Sequence, residues 1–434
     1  MSEISSELKA QHKQPLTKDQ RRAFLAGYGG WSLDGFDALL FGLVFVPSLT
    51  ELLTNGGIAA TPGNIGFYGQ VITAVFLAGW GFSALWGPIA DRFGRIKILM
   101  ISLLMYSVFT ALAGLTTEVW QIMACRFFGA IGTGAEWAIA GTLVAEAIPE
   151  RRRVFFGGLL HSGFYVGGIA AALINIFFGA QLGWRGMLLI GLIPAVFVVY
   201  IRFRVKEDPK MFREAAAVVG REPIRARFGQ ILGRAYGRRT WAMVFIIAIA
   251  LMGYWATTQY LTTAAAGIAG SLKMTPADVR LVSVSVFGLS TVCTAIGCII
   301  VPFLCQRFGR RATLSVLFGL MIIGILGVYG WALPTANVPL LYVFVVVLGF
   351  GGSNFAVFTI WLPELFPTHL RATGFAFATS ASRFIAAGGT FLVGWGIAWF
   401  GSASIPLSLT AVPFLVGFIL VRLAPEMRGE ALPK

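Results

Sequence analysis

The chain has 434 residues, 57% of them hydrophobic and 12% charged, with a formal net charge of +15. Soluble globular chains carry about 25% charged residues, so this composition excludes an ordinary soluble domain and points to a membrane protein. Apolar runs of roughly 20 residues recur along the chain, the length of a transmembrane helix, which excludes the ~10-residue alternation of a barrel strand.

The first 22 residues are polar, with no apolar core of a signal peptide, and are expected to form a cytoplasmic tail, residues 1–23. Six apolar spans follow over 24–203, at 24–50, 65–90, 96–115, 119–147, 153–180 and 185–203. A basic segment, 204–239, is expected as a linker lying along the inner membrane surface. Six more spans occupy 240–423, at 240–268, 279–305, 312–332, 338–365, 370–398 and 403–423, before a short tail, 424–434. The expected fold is an all-α membrane protein of twelve transmembrane helices in two six-helix bundles.

The basic residues test that count. In a soluble chain a charge of +15 would suggest nucleic acid, but here it follows the positive-inside rule. Of the 34 Lys and Arg, 29 fall in segments that a twelve-span path puts on one side. Arg185, Lys273 and Arg280 fall on the other, and Arg126 and Arg383 lie inside spans. Both termini are therefore expected on the cytoplasmic side of a cell inner membrane. Cys125, Cys293, Cys298 and Cys305 sit in or beside apolar spans without a C-x-x-C pair, so neither a disulfide framework nor a metal site is expected. No cofactor is expected either.

The chain repeats itself. DRFGR at 91–95 recurs as QRFGR at 306–310, and EAIPERRR at 146–153 recurs loosely as ELFPTHLR at 364–371. The offsets, 215 and 218 residues, bracket half the chain length. Two halves related by a parallel repeat are the arrangement of one large class of transporters.

GPIADRFGRIK (87–97), RFFGAIGTGAEW (126–137), PERRR (149–153) and PELFPTHLRATG (363–374) resemble the signature segments of the major facilitator superfamily. DGFD (34–37), with GAEW and with GWRGMLLIGLIPA (183–195), is similar to the organic acid:proton symporters of that superfamily: the aromatic acid, sialic acid and lactate/pyruvate branches. The resemblance covers essentially the whole chain. It implies secondary active import of a small organic carboxylate with protons by alternating access, by a monomer in a lipid bilayer. One departure stands out. The second signature loop has Gln306 where the first has Asp91, so the C-terminal copy is expected to lack the ionic latch proposed for the first.

Charges inside spans are costly and are kept where they function. At about 1.5 Å per residue, Asp37 lies roughly 20 Å from the start of the first span and Arg126 roughly 10 Å from the opposite end of the fourth. In a core about 30 Å thick these depths coincide, and Arg383 on the eleventh span reaches the same level. Asp34 and Asp37, three residues apart, share one helical face. Two carboxylates in apolar surroundings beside a cation suit proton coupling, and the resemblance favours Asp37; the alternative is a packing ion pair with Arg126. Arg126 is either the partner of Asp37 or an anion ligand. Arg383, with no acidic neighbour on its own helix, suits a substrate carboxylate held bidentately; the alternative is a structural arginine.

His161 is a candidate proton relay, and Glu136 a further relay or gating residue. Tyr165, Tyr254, Gln259 and Asn354 are candidate substrate contacts at cavity depth, with Asn175 and Trp255 beside them. Asp91, Arg92 and Arg95 are expected to gate, Asp91 being favoured near a helix N-terminus. Three rival functions are weighed. A proton antiporter exporting drugs or metabolites is disfavoured by DGFD. An enzyme would need a Walker loop, H-E-x-x-H, a metal cluster or G-x-S-x-G, none of which occurs. A non-transporting nutrient sensor would bind ligand without flux.

Overall fold

The structure is a computed structural model, and it describes residues 16–86, 89, 95–148, 150–196 and 224–427. Fourteen helices carry these residues. In the first half they are α1 (Lys18–Asn55), α2 (Pro62–Gly81, extended by a 3-10 turn, Phe82–Leu85), α3 (Arg95–Ala113), α4 (Val119–Ala147) and α5 (Glu150–Ile190). A short helix, α6 (Ile224–Leu232), precedes the second half. That half holds α7 (Gly237–Ser271), α8 (Pro276–Phe308), α9 (Arg310–Ile325, continued by a π-helical turn, Leu326–Ala332), α10 (Val338–Gly352), α11 (Asn354–Glu364), α12 (Thr368–Phe400), α13 (Ser404–Leu409) and α14 (Ala411–Leu423).

These helices follow the expected span order, with informative differences. α5 runs through two expected spans without a strand or loop between them. The chain reorients at Gly183, whose φ of 61° and ψ of −177° break the helical path where the side-chain-free residue tolerates positive φ. The tenth span is broken at Ser353 into α10 and α11, and the Asn354 amide donates to Gly351 O at 2.9 Å across the break. Nine segments among the described residues are long and apolar enough to cross a membrane, with Lys97–Ala113 a shorter apolar helix. Most of the expected linker lies outside the described residues; its end is α6.

The helix starts reflect the repeat as well. Thr61 caps α2 and Thr275 caps α8; each side chain accepts from the backbone N–H three residues on, and each is followed by proline at the first helical position. Such caps contribute about 1 kcal/mol each, and proline there loses no hydrogen bond because that N–H has no partner inside the helix.

Small residues set the packing. A Cβ on Gly35 would collide with the Phe164 carbonyl, and one on Gly167 with the Ser32 carbonyl. α1 and α5 therefore touch backbone to backbone, as glycine allows in membrane bundles. Between the halves, α2 packs along α12, α5 along α8, and α1 against α7. Large apolar side chains cover the outside, Leu104, Val108, Phe177, Phe178, Leu392 and Ile419 among them. Exposed Trp120, Trp331 and Trp399 lie toward the end opposite Arg310 and suit an interfacial aromatic belt.

One end of the molecule is basic. Phe24 meets Phe156 there, Phe155 meets Phe303, and Arg310 pairs with Glu364. The C-terminal half holds an ionic clasp assembled from residues other than Gln306. Arg310 donates through Nε at 2.9 Å and through Nη2 to the two Glu364 oxygens, while Glu426 accepts from the backbone N–H groups of Arg310 and Arg311, each at 3.0 Å. Gln306 itself is exposed.

Candidate functional site

Four charged side chains meet in the middle of the bundle, each almost fully buried: Asp34, Asp37, Arg126 and Arg383. The two carboxylates leave α1 one turn apart, but they serve different cations. Asp37 faces Arg126 of α4, Oδ2 to Nη1, at 3.9 Å. Asp34 interacts electrostatically with Arg383, on α12 of the other half. The first pair lies within one bundle, whereas the second bridges the two.

Arg126 is boxed by apolar rings, 5.0 Å from the Phe41 centroid and 4.5 Å from that of Phe76. Its Nη2 donates a long bond, 3.4 Å, to Ala38 O, and its Nε has no hydrogen-bond partner. Arg383 has fixed neighbours of its own. Its guanidinium lies over Trp80 at 4.4 Å and Trp137 at 5.3 Å, and Nη1 donates to Thr379 O at 3.1 Å. Its Nε is left without a hydrogen-bond partner. Cation–π contacts of this kind strengthen where water is excluded, so the rings hold the arginine in place while leaving an N–H open.

The aromatic wall is what sequence reasoning missed. Trp31 stacks on Trp137 (5.9 Å, 20°) and Trp80 lies parallel to Phe164 (6.4 Å, 16°), with Trp255 edge-on to Trp80 at 5.7 Å. Trp137 ends the quoted GAEW and Trp31 lies three residues before DGFD, whereas Trp80 had no sequence signal beyond its depth in a span. His161 fits into this wall, 6.0 Å from Trp31, 5.9 Å from Trp137 and 5.9 Å from Tyr165, and its Nδ1 lies 3.4 Å from the Thr359 hydroxyl of α11.

The remaining candidates divide. Tyr165 and Tyr254 meet edge to face at 6.2 Å across the interface between halves. Asn354 spends its amide N–H on Gly351 O and keeps Oδ1 without a partner; Gln259 Oε1 is likewise without one and abuts Gly42 of α1. The Asn175 carbonyl accepts from Arg280 at 2.8 Å, near the end opposite the basic face. Asp91 and Arg92 lie outside the described residues, and so do the side chains of Glu136 and Arg95. Among the described residues no group of three or more His, Cys, Asp or Glu side chains could hold a metal ion.

Two helical bundles closing on buried charges from both sides define the class: a membrane transporter scaffold of two repeated halves. The chain belongs to the Major Facilitator Superfamily, whose sequence profile matches residues 28–267 and again 256–433. It is 31% identical over 419 residues to the "Probable 4-methylmuconolactone transporter" of Cupriavidus pinatubonensis, covering 95% of this chain and 92% of that one. It is 26% identical over 408 residues to the cis,cis-muconate transport protein of Acinetobacter baylyi, covering 88% and 92%. The fold matches the proton:xylose symporter XylE bound to 6-bromo-6-deoxy-D-glucose, with a TM-score of 0.71 at 18% identity over 95% of this chain and 98% of that one. Membership places the chain among transporters and not among enzymes, in a multi-pass membrane setting.

Proposed function

We propose that the protein imports a small organic carboxylate together with protons, by alternating access of a central site between its two halves. The observation that carries this reading is the buried layer of two carboxylates and two guanidinium groups contributed by both bundles. A cavity at the midplane between repeats is where such carriers bind substrate. The relatives named above for 4-methylmuconolactone and cis,cis-muconate support an organic acid as cargo. In this reading Asp37, opposed by Arg126, loads and releases the coupling proton. Arg383 takes the substrate carboxylate, with Asp34 beside it. His161, in the aromatic wall, relays the proton. Tyr165, Tyr254, Gln259 and Asn354 line the site, and Asp91, Arg92 and Arg95 act on gating. The basic face is the cytoplasmic one, with both termini on it, because 29 of 34 Lys and Arg lie on that side of a twelve-span path.

The test is uptake in proteoliposomes. A carboxylate substrate should accumulate when the outside is made acidic, and a protonophore should abolish accumulation. Accumulation that survives the protonophore and requires a sodium gradient would remove protons from the mechanism.

A further inference from the structure

Arg280 is a half-buried cation at the seam between the halves with no acid beside it. It lies near the start of α8, at the end opposite the basic face, and reaches across to α5. There Nη1 donates to Asn175 O at 2.8 Å and Nη2 to Ile176 O at 3.5 Å. Among the described residues no ion pair joins it to a carboxylate. Asp278, two residues earlier, is held instead by the Thr275 hydroxyl at 2.6 Å. Arg185, at the same end, shows the alternative arrangement: it pairs with Glu51 at 2.7 Å, inside the first half.

The bonds across this seam matter unequally to the two sides. Asn175 and Ile176 lie inside α5, where a carbonyl already accepts the helical N–H four residues on. A second lone pair on each oxygen is what the arginine uses. When the halves part at this end, α5 keeps its own hydrogen bonds, whereas the guanidinium loses both acceptors and stands as an open cation on the wall of the cleft. The seam leads inward from there: Gly288 faces Ala172, and Gly168 faces Thr291 and Leu39, the last two residues beyond Asp37. Seven residues of α5 separate Asn175 from Gly168, about 10 Å of helix. Arg280 therefore stands one short step outside the buried charge layer.

We propose that Arg280 is an entry site for the anion: it holds the seam shut through the α5 carbonyls when this end is closed, and exchanges them for the substrate carboxylate when this end opens. The exchange is favourable because a guanidinium–carboxylate pair is charge-assisted on both sides and is bidentate. An anion arriving from this side thus favours the form open to it, before passing inward to Arg383. The inference rests on the reading of the cargo as a carboxylate that enters from the face opposite the basic one. It adds where the anion is first held, and why closure yields to it.

The experiment is uptake by the full chain in proteoliposomes oriented with the Arg280 end outside. The probe is whichever of cis,cis-muconate, benzoate and lactate the wild type takes up fastest. Arg280→Gln keeps a donor and loses the charge. Its outside KM should rise about tenfold, the lower end of what electrostatic steering contributes, with kcat little changed, and the gap from wild type should narrow as salt is raised. Arg280→Lys, which keeps the charge without the fork, should fall between the two. The sign of the change separates binding from closure: a residue that only tied the seam would, when lost, populate the open form and lower the outside KM. A second readout sets the charge after folding. Arg280→Cys, in a background lacking native cysteines, is treated from outside with a cationic or an anionic methanethiosulfonate, and the cationic adduct should show the lower KM by about tenfold. An outside KM unchanged or lowered in Arg280→Gln, or equal KM for the two adducts, would overturn the assignment. The carboxylate reading fails separately, if the wild type takes up none of the three acids, and the entry site then falls with it.

Discussion

The Arg126 guanidinium stands 3.9 Å from the Asp37 carboxylate, close enough for ion pairing but too far for a hydrogen bond. Arg126 Nε and Asp37 Oδ1 both lack hydrogen-bond partners, and phenylalanine rings flank the arginine. A bidentate pair in such surroundings would be held tightly. This one is loose, so a proton arriving on Asp37 breaks no hydrogen bond to Arg126.

Asp37→Asn mimics the permanently protonated carboxyl. The variant should bind substrate and exchange labelled for unlabelled substrate, since exchange never requires the proton to leave. It should fail at gradient-driven accumulation, where the carrier must release its proton and return empty. Counterflow and driven uptake on the same preparation decide it. Retained accumulation would take Asp37 out of the coupling step, and loss of both activities in a folded protein would make it structural or substrate-binding. Asp34→Asn should keep part of its driven uptake if Asp34 only tunes its neighbours.

Arg383→Ala removes the anion fork and the ring contacts together. Substrate affinity should fall by about 2–4 kcal/mol, the scale for leaving a buried charge unpaired. Arg383→Lys should recover part of this, because ammonium keeps the charge without the planar fork. The measurement is equilibrium binding. Unchanged affinity in Arg383→Ala would make Arg126 the preferred anion ligand.

Much of this was legible in the chain itself. Hydropathy located the spans, the distribution of Lys and Arg supported their number, and the DRFGR/QRFGR offset exposed the two halves. Depth counting brought Asp37 and Arg126 to one level, and the structure pairs them. Which charge faces which could not be read. Asp34 and Asp37 share a helix face by spacing, but their directions diverge by enough of a turn to reach cations on different bundles. The tryptophan wall was hidden because an indole in a membrane span reads as one more apolar residue. The clasp was hidden for a different reason. Glu364 and Glu426 are remote from each other and from Arg310 in sequence and adjacent only after folding.

Glu364→Gln tests that clasp. Arg310 is left half-paired in a mostly buried setting, with relative exposures of 8% for its side chain and 12% for that of Glu364. Stability should drop by about 1–3 kcal/mol, the penalty for an incompletely satisfied buried group, and the transport rate should change while substrate affinity holds. Gln306→Ala, altering an exposed side chain, should leave both untouched. Thermal unfolding and initial uptake rates are the readouts, and a silent Glu364→Gln would show that the clasp is ornamental.

Gly167→Ala and Gly157→Ala lie on the same helix and should behave in opposite ways. A methyl at 167 meets the Ser32 carbonyl of α1, whereas a methyl at 157 meets nothing within 4 Å. Backbone cannot step aside as a side chain can, so Gly167→Ala should cost about 3 kcal/mol or more or fail to accumulate. Gly157→Ala should be neutral or slightly stabilising, since alanine is the better helix former. Expression and melting temperature of the two proteins, side by side, give the answer.

The end opposite the basic face is closed by directed bonds between the halves. Gln70 Nε2 donates to Ala256 O and the Thr262 hydroxyl to Gly42 O, both at 2.8 Å and buried, while Arg280 donates to Asn175 O at 2.8 Å. Toward the basic face, among the described residues, the halves meet through rings and small side chains, as where Trp137 touches Phe375 or Gly158 abuts Pro302. Ring contacts slide, whereas hydrogen bonds are made or lost, so the bonded end should control the balance between the two open states. Each bond is worth about 1 kcal/mol net, and Gln70→Leu with Thr262→Val together should shift the equilibrium roughly thirtyfold toward opening at that end. Spin labels at Thr54 and Leu272, near the ends of α1 and α7 on that side, report the separation in a background lacking native cysteines. The double variant should gain a long-distance population, and labels at Arg152 and Arg307 on the basic face should gain a short one. Distance distributions identical to the parent at both faces would show that the closure does not depend on these two bonds.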